Sequence, residues 1–353
     1  MTRNVAIGAG LLLAGLATAR PMAPIPNPMP REGVIAISSF QPEPPLEFFT
    51  PSGTELKPNV ALGRAAAPIN PGERVVCPLL QVRLSPDTKR ILAIKLGPIP
   101  QNAGLYTPNH LWVFDRDAEN GPTEPLLANL RLPSAVWSPD GTRIYGSSIA
   151  PDKEADPIPK SGPPYPLECW SFDLKTREKT ALKLPLGHKV ADISPDGKTL
   201  LTVRQLEWEK PWLVESYLVP LATLKPQRLK EQPFDVEQPF EGMRFSPDGS
   251  RVLGTRHVKV KNGPVRVLPF IVAVADGAMS HVRVKDDVSS LLSVCWSPDN
   301  KRIAYHWLEI LSEPNGTGGT ISSRLTVADA DGGNAKVILR RDAAYSIRGL
   351  DWK

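Results

Sequence analysis

The chain has 353 residues, 41% hydrophobic and 22% charged, so it carries enough apolar content for a sizeable core and does not read as disordered. Its net charge of +5 is spread along the sequence and no nucleic-acid module is present, which excludes nucleic acid from the expected partners. The three cysteines, Cys77, Cys169 and Cys295, form neither a disulfide framework nor a zinc-finger spacing, and the 39 prolines favour short strands and turns over helices.

In chain order, residues 1–19 read as a secretory signal. Arg3 supplies the positive n-region, Val5 to Leu16 the apolar stretch, and Ala17-Thr18-Ala19 the cleavage site. The apolar stretch is short for a bilayer, so no membrane span is expected after cleavage. Residues 20–31 hold five prolines and read as an extended linker without ladder bonds. Residues 32–353 form the folded domain, and the expected location is the periplasm or outside the cell.

Within the domain five segments repeat: residues 82–94, 135–147, 191–203, 243–255 and 294–306, each carrying Ser-Pro-Asp. Their serines, Ser85, Ser138, Ser194, Ser246 and Ser297, are 53, 56, 52 and 51 residues apart. In each an apolar strand ends at the serine, Pro-Asp-Gly or a variant makes a tight turn, and a second alternating strand follows. In the last unit Leu325 to Ala328 and Lys336 to Leu339 supply third and fourth strands around the turn Asp329–Asn334. Four short antiparallel strands per unit predict an all-β propeller blade. Residues 346–352 match the strand before each serine, Gly33 to Ser39 reads as a second strand, and residues 54–76 are expected to hold the outer two. The prediction is a six-bladed β-propeller of four-stranded blades, closed by a composite N- and C-terminal blade.

These units resemble the propeller repeats of the TolB family, over about residues 75–353 and on the strength of the five Ser-Pro-Asp turns and Asp-Ala-Asp-Gly-Gly-Asn. The resemblance implies a six-bladed propeller of the cell envelope serving protein contacts. The 353 residues are not expected to leave room for the extra N-terminal domain seen in TolB itself.

Two residues before each serine, or its equivalent, stand Arg83, Val136, Asp192, Arg244, Cys295 and Asp351. Inter-blade ion pairs near the channel are expected between Asp192 and Arg244 and between Asp351 and Arg83, with a charged ligand site as the rival reading. The residues immediately before the serines, including Trp137, Trp296 and Trp352, are expected to pack between blades. The Asp329–Asn334 turn lacks the EF-hand ligand pattern and reads as a hairpin, and the five histidines show no ligand spacing. No metal, cofactor or catalytic residue is assigned, and no G-x-S-x-G occurs.

The connections between second and third strands (residues 96–109, 149–166, 205–212, 257–264 and 308–323) should share one face. That face is expected to carry Arg204, Glu207, Trp208, Glu209, Trp212, Arg256, His257, His306 and Trp307 as a binding surface. The expected function is binding of a protein or envelope polymer there. The alternative is a lyase or hydrolase acting on a sugar or lactone at the channel mouth.

Overall fold

The structure is a computed structural model. It describes residues 23–24, 32–39, 46–57, 79–96, 109–116, 124–131, 133–149, 166–205, 213–229, 234–235, 243–259, 265–284, 290–312, 319–342 and 347–353. These fold into six antiparallel blades arranged in a ring. With strands given from the innermost outwards, blade 1 is Leu79–Leu84, Arg90–Leu96, Asn109–Asp115 and Leu127–Leu130. Blade 2 is Ser134–Trp137, Arg143–Ile149, Leu167–Asp173 and Glu178–Ala181. Blade 3 is His188–Ile193, Thr199–Gln205, Leu213–Pro220 and Gln227–Arg228, with Phe234–Asp235 also pairing to its third strand. Blade 4 is Arg244–Phe245, Arg251–Lys259, Val265–Ala273 and Met279–His281. Blade 5 is Ser290–Trp296, Arg302–Ser312, Gly319–Asp329 and Lys336–Asp342.

Blade 6 is composite. Ile347–Trp352 is its inner strand, and Ile35–Ser39, Leu46–Phe49 and Glu55–Lys57 follow outwards. The third strand therefore comes earlier than the 54–76 expected for the outer pair. Ala23–Pro24, inside the stretch read as a linker free of ladder bonds, pairs in parallel with Leu56–Lys57 as a fifth strand. An edge is where a strand tolerates proline, because the missing N–H is not needed there. The ring closes without a covalent link: Val34 N–H donates to Lys353 O at 2.6 Å and Lys353 N–H to Val34 O at 3.2 Å.

Each Ser-Pro-Asp turn uses the same bonds. The serine hydroxyl donates to the aspartate two residues on at 2.5–2.6 Å. The same hydroxyl accepts the N–H of the residue five positions on at 2.8–3.0 Å. The fourth turn residue (Thr88, Gly141, Gly197, Gly249 or Asn300) has φ between 60° and 74°. That left-handed position explains why glycine or asparagine occupies it in four turns of the five.

The core is divided among six clusters, one at each blade interface. Strand alternation does the sorting. Trp137 packs back on blade 1 with Leu92 and Leu111, while its neighbour Val136 packs forward on blade 3 with Ile193 and Leu200. Trp296 and Trp352 likewise face the preceding blade.

Where a tryptophan stands before the turn, the preceding blade presents an arginine to it. Arg90 lies 4.9 Å from the Trp137 ring centre, Arg251 4.7 Å from that of Trp296, and Arg302 5.2 Å from that of Trp352. Arg143 faces the blade of Ile193 and pairs instead with Asp173 in its own blade, at 3.5 Å. Cation–π attraction thus recurs at the seams that hold an indole.

Candidate functional site

The inner strands converge at a channel whose mouth on the turn face is a funnel of about 290 Å³. Pro86, Pro139, Pro195, Pro247 and Pro298 of the turns lie around it, with Arg83, Asp192, Arg244 and Asp351 among its lining groups. In blade order the residues two before the turns read Arg, Val, Asp, Arg, Cys, Asp, a pattern that repeats after half a turn of the ring.

The bonding does not keep that two-fold symmetry. Asp351 Oδ2 accepts the N–H of Leu84 in blade 1 at 2.7 Å, and Asp192 Oδ2 accepts the equivalent N–H of Phe245 in blade 4 at 2.8 Å. Arg83 Nη1 lies 3.9 Å from Asp351 Oδ1 and Arg83 Nη2 donates to Ala191 O at 3.3 Å. Arg244 was expected to pair with Asp192. Instead it reaches past blade 5 to Asp351 Oδ1 and Leu350 O. Blade 5 offers only the small Cys295 at that position, which cannot pair with the guanidinium and leaves the long side chain free to reach further.

Burial pulls Arg83 down to about 10, helped by repulsion from Arg244 and opposed by Asp192 and Asp351. Burial by itself would raise Asp351, but Arg244, Lys353 and Arg83 outweigh it and hold the carboxyl below its usual range. Burial also pushes the Cys169 and Cys295 thiols up to about 12, so neither is a nucleophile at neutral pH. Both thiols are free; Cys77 lies outside the described residues.

On the opposite face the expected surface is only partly described. Glu207, Trp208, Glu209 and Trp212 lie outside the described residues, and of His257 only the backbone, opposite Val267, is described. Arg204 and Arg256 are half-buried, the latter donating to Met279 Sδ at 3.7 Å. His306 and Trp307 do not belong to an exposed surface, being 0% and 2% exposed. His306 Nε2 bonds Ser323 Oγ at 2.6 Å, Trp307 Nε1 donates to Thr326 Oγ1 at 2.9 Å, and the indole packs in the cluster between blades 4 and 5. Strand 2 of blade 5 is longer than the repeat length suggested, so both residues fall inside the sheet.

That length is the feature missed from sequence. Every second strand in blades 1 to 5 starts within a residue of the same point after its turn. They then run for 7 residues in blades 1 to 3, 9 in blade 4 and 11 in blade 5. The extra residues of blade 5 project about 13 Å further on the long-connection face, at about 3.3 Å per residue. The ladder persists to Ser312 opposite Gly319, while the fourth strand reaches only to Ser322, so among the described residues the tip is a two-stranded ribbon.

The Asp329–Asn334 turn is a closed hairpin. Gly332 N–H donates to Asp329 O, Gly333 N–H to Asp331 Oδ1 and Asn334 Nδ2 to Asp329 Oδ2, so both carboxylates serve the turn. His188 bonds Thr202 Oγ1 at 2.9 Å and packs edge-on to Tyr217. Among the described residues no group of three or more His, Cys, Asp or Glu side chains could hold a metal, and no helix is long and apolar enough to cross a membrane.

Fold and channel together define a six-bladed β-propeller with a charged, proline-rimmed mouth. Among solved structures, a protein assigned as TolB from Agrobacterium tumefaciens matches at 14% identity over 78% of this chain and 86% of that chain, with a TM-score of 0.52. Kuenenia stuttgartiensis hydrazine synthase matches at 17% identity over 77% of this chain and 69% of that chain, with a TM-score of 0.47. A Bacteroides uniformis protein described as a 6-phosphogluconolactonase matches at 12% identity over 91% and 99%, with a TM-score of 0.48. No protein-family model and no curated protein matches the chain. At such identities the likeness to the TolB structure establishes the propeller fold alone.

Proposed function

We propose that the protein is an exported binding propeller that captures a protein or an envelope polymer on its long-connection face. The carrying observation is the ribbon of blade 5, which stands beyond the ring with no third strand beside it among the described residues. Two-stranded ribbons are marginal in water, so this one gains from being covered. Arg256 of the adjacent blade 4 and Arg204 of blade 3 lie toward the same face. The acidic groups of the turns and the channel support binding over catalysis: each is engaged by its own turn hydroxyl or by a backbone N–H of the next blade.

The test replaces residues 309–322 by Asn-Gly, which joins the two strands inside the sheet with a tight turn. Both chains are then used to capture partners from an envelope fraction. Loss of a captured component with an unchanged melting temperature supports the reading. Identical capture by both chains overturns it.

A further inference from the structure

We propose that the turn-face mouth of the channel is a binding site for a small organic carboxylate, held by Arg83 and Arg244 from opposite sides of the ring. This site is separate from the long-connection face and does not depend on how that face is used.

The two guanidiniums meet over one acceptor, Asp351 Oδ1. Beyond it, the bonds they make are to Ala191 O and Leu350 O. The Nε–H of Arg83 and that of Arg244 have no acceptor among the described residues, although both residues are more than nine-tenths buried. Trp296 also lines the funnel, is 4% exposed, and its Nε1–H has no acceptor either. The equivalent indoles do find one: Trp137 donates to Arg83 O at 3.1 Å and Trp352 to Glu32 O at 2.9 Å. Buried donors without acceptors are rare in folded proteins, and here three sit beneath one mouth.

Charge selects the ligand. Arg83 and Arg244 line the funnel together with Asp192 and Asp351, and both carboxylates are already engaged by backbone N–H groups of Phe245 and Leu84. A phosphate dianion has to sit beside those two carboxylates, which disfavours it more than a monoanion. A carboxylate also fits the planar fork of a guanidinium. The proline rim above the charges suits an apolar body, and the volume of about 290 Å³ suits a small one. Relief of the repulsion between the two guanidiniums adds to the attraction.

The experiment titrates sodium benzoate, benzamide and inorganic phosphate into the purified chain by calorimetry, and follows the indole N–H resonances in the same titrations. Benzoate is expected to bind saturably and to shift the Trp296 resonance more than those of Trp137 and Trp352. Benzamide is expected to give no heat, and phosphate to bind about tenfold more weakly or worse. Arg83→Met gives up one bond to a carbonyl and a long ion pair, and should weaken benzoate about tenfold or more. Arg83→Lys, which keeps the charge without the fork, should fall between. If Arg83→Met does not fold, the Trp296 shift in the natural chain decides. Absence of saturable benzoate binding, phosphate binding as tightly as benzoate, or undiminished binding by folded Arg83→Met overturns the proposal.

Discussion

At the seam between blades 3 and 4, Asp192 receives the N–H of Phe245. At the seam between blades 6 and 1, Asp351 receives the N–H of Leu84 and also meets both channel arginines. The two aspartates hold equivalent places in a pattern that repeats around the ring. They differ in what lies beside them: the inner strand of blade 3 runs on into its own second strand, whereas the inner and second strands of blade 6, Ile347–Trp352 and Ile35–Ser39, come from opposite ends of the domain and are held together by hydrogen bonds. The extra bonds gather where the chain does not tie the structure together. The same register thus provides a latch in one place and a clasp in the other.

The comparison breaks most sharply by mutation. Asp351→Asn leaves two buried guanidiniums without their shared anion and should cost about 3–5 kcal/mol in denaturant unfolding. Asp192→Asn should cost about 1 kcal/mol, the worth of one hydrogen bond. Equal losses would remove the distinction between the two seams.

Acid sharpens it. Asp351 is held below its usual range in the folded state, so its contribution is present above the unfolded carboxylate pKa and disappears as pH falls through the folded value. The stability gap between the natural chain and Asp351→Asn should therefore narrow as pH drops below about 4. His188 adds a second slope. Burial, with Arg204 beside it, pushes its pKa down to about 4, so the unfolded chain takes up a proton that the folded chain refuses. Stability should fall between about pH 6.5 and pH 4, and His188→Gln should flatten that part of the curve.

Smaller effects test the arginine–indole contacts. Arg90→Ala loses the Trp137 contact and the bond to Gly141 O at 2.7 Å, and should cost about 1–2 kcal/mol. Arg143→Ala, at the same place in the next blade, removes a half-exposed pair with Asp173 and should change the unfolding midpoint by less than about 0.5 kcal/mol. A large loss at Arg143 would show that position in the repeat, rather than the indole opposite, sets the effect.

Much of the fold was legible because the Ser-Pro-Asp turns are local chemistry, written in consecutive residues and repeated. The composite closure was legible because Trp352 stands in register with Trp137 and Trp296. The third strand of blade 6 was misplaced because Leu46–Phe49 follows a run of Pro and Glu that reads as a connection, although all four of its residues are buried. The pairing of Arg244 was not legible because adjacency in the repeat says which groups are neighbours, not how far a long side chain reaches across the channel. His306 and Trp307 were read as surface because the sequence does not mark where the long strand Arg302–Ser312 leaves the ring.

The closing strand has a consequence for biosynthesis. Blades 1 to 5 are each made from one continuous stretch and can form in order as the chain emerges. Ile35–Ser39 must wait for Ile347–Trp352, and Glu32 is joined to Trp352 across 320 residues. Until that strand arrives, the first and fifth blades present apolar faces and Ile35–Ser39 an unpaired edge. Chains cut short before Ile347 thus advertise their own incompleteness to proteases and chaperones, and the ring becomes silent only when the last strand is in place.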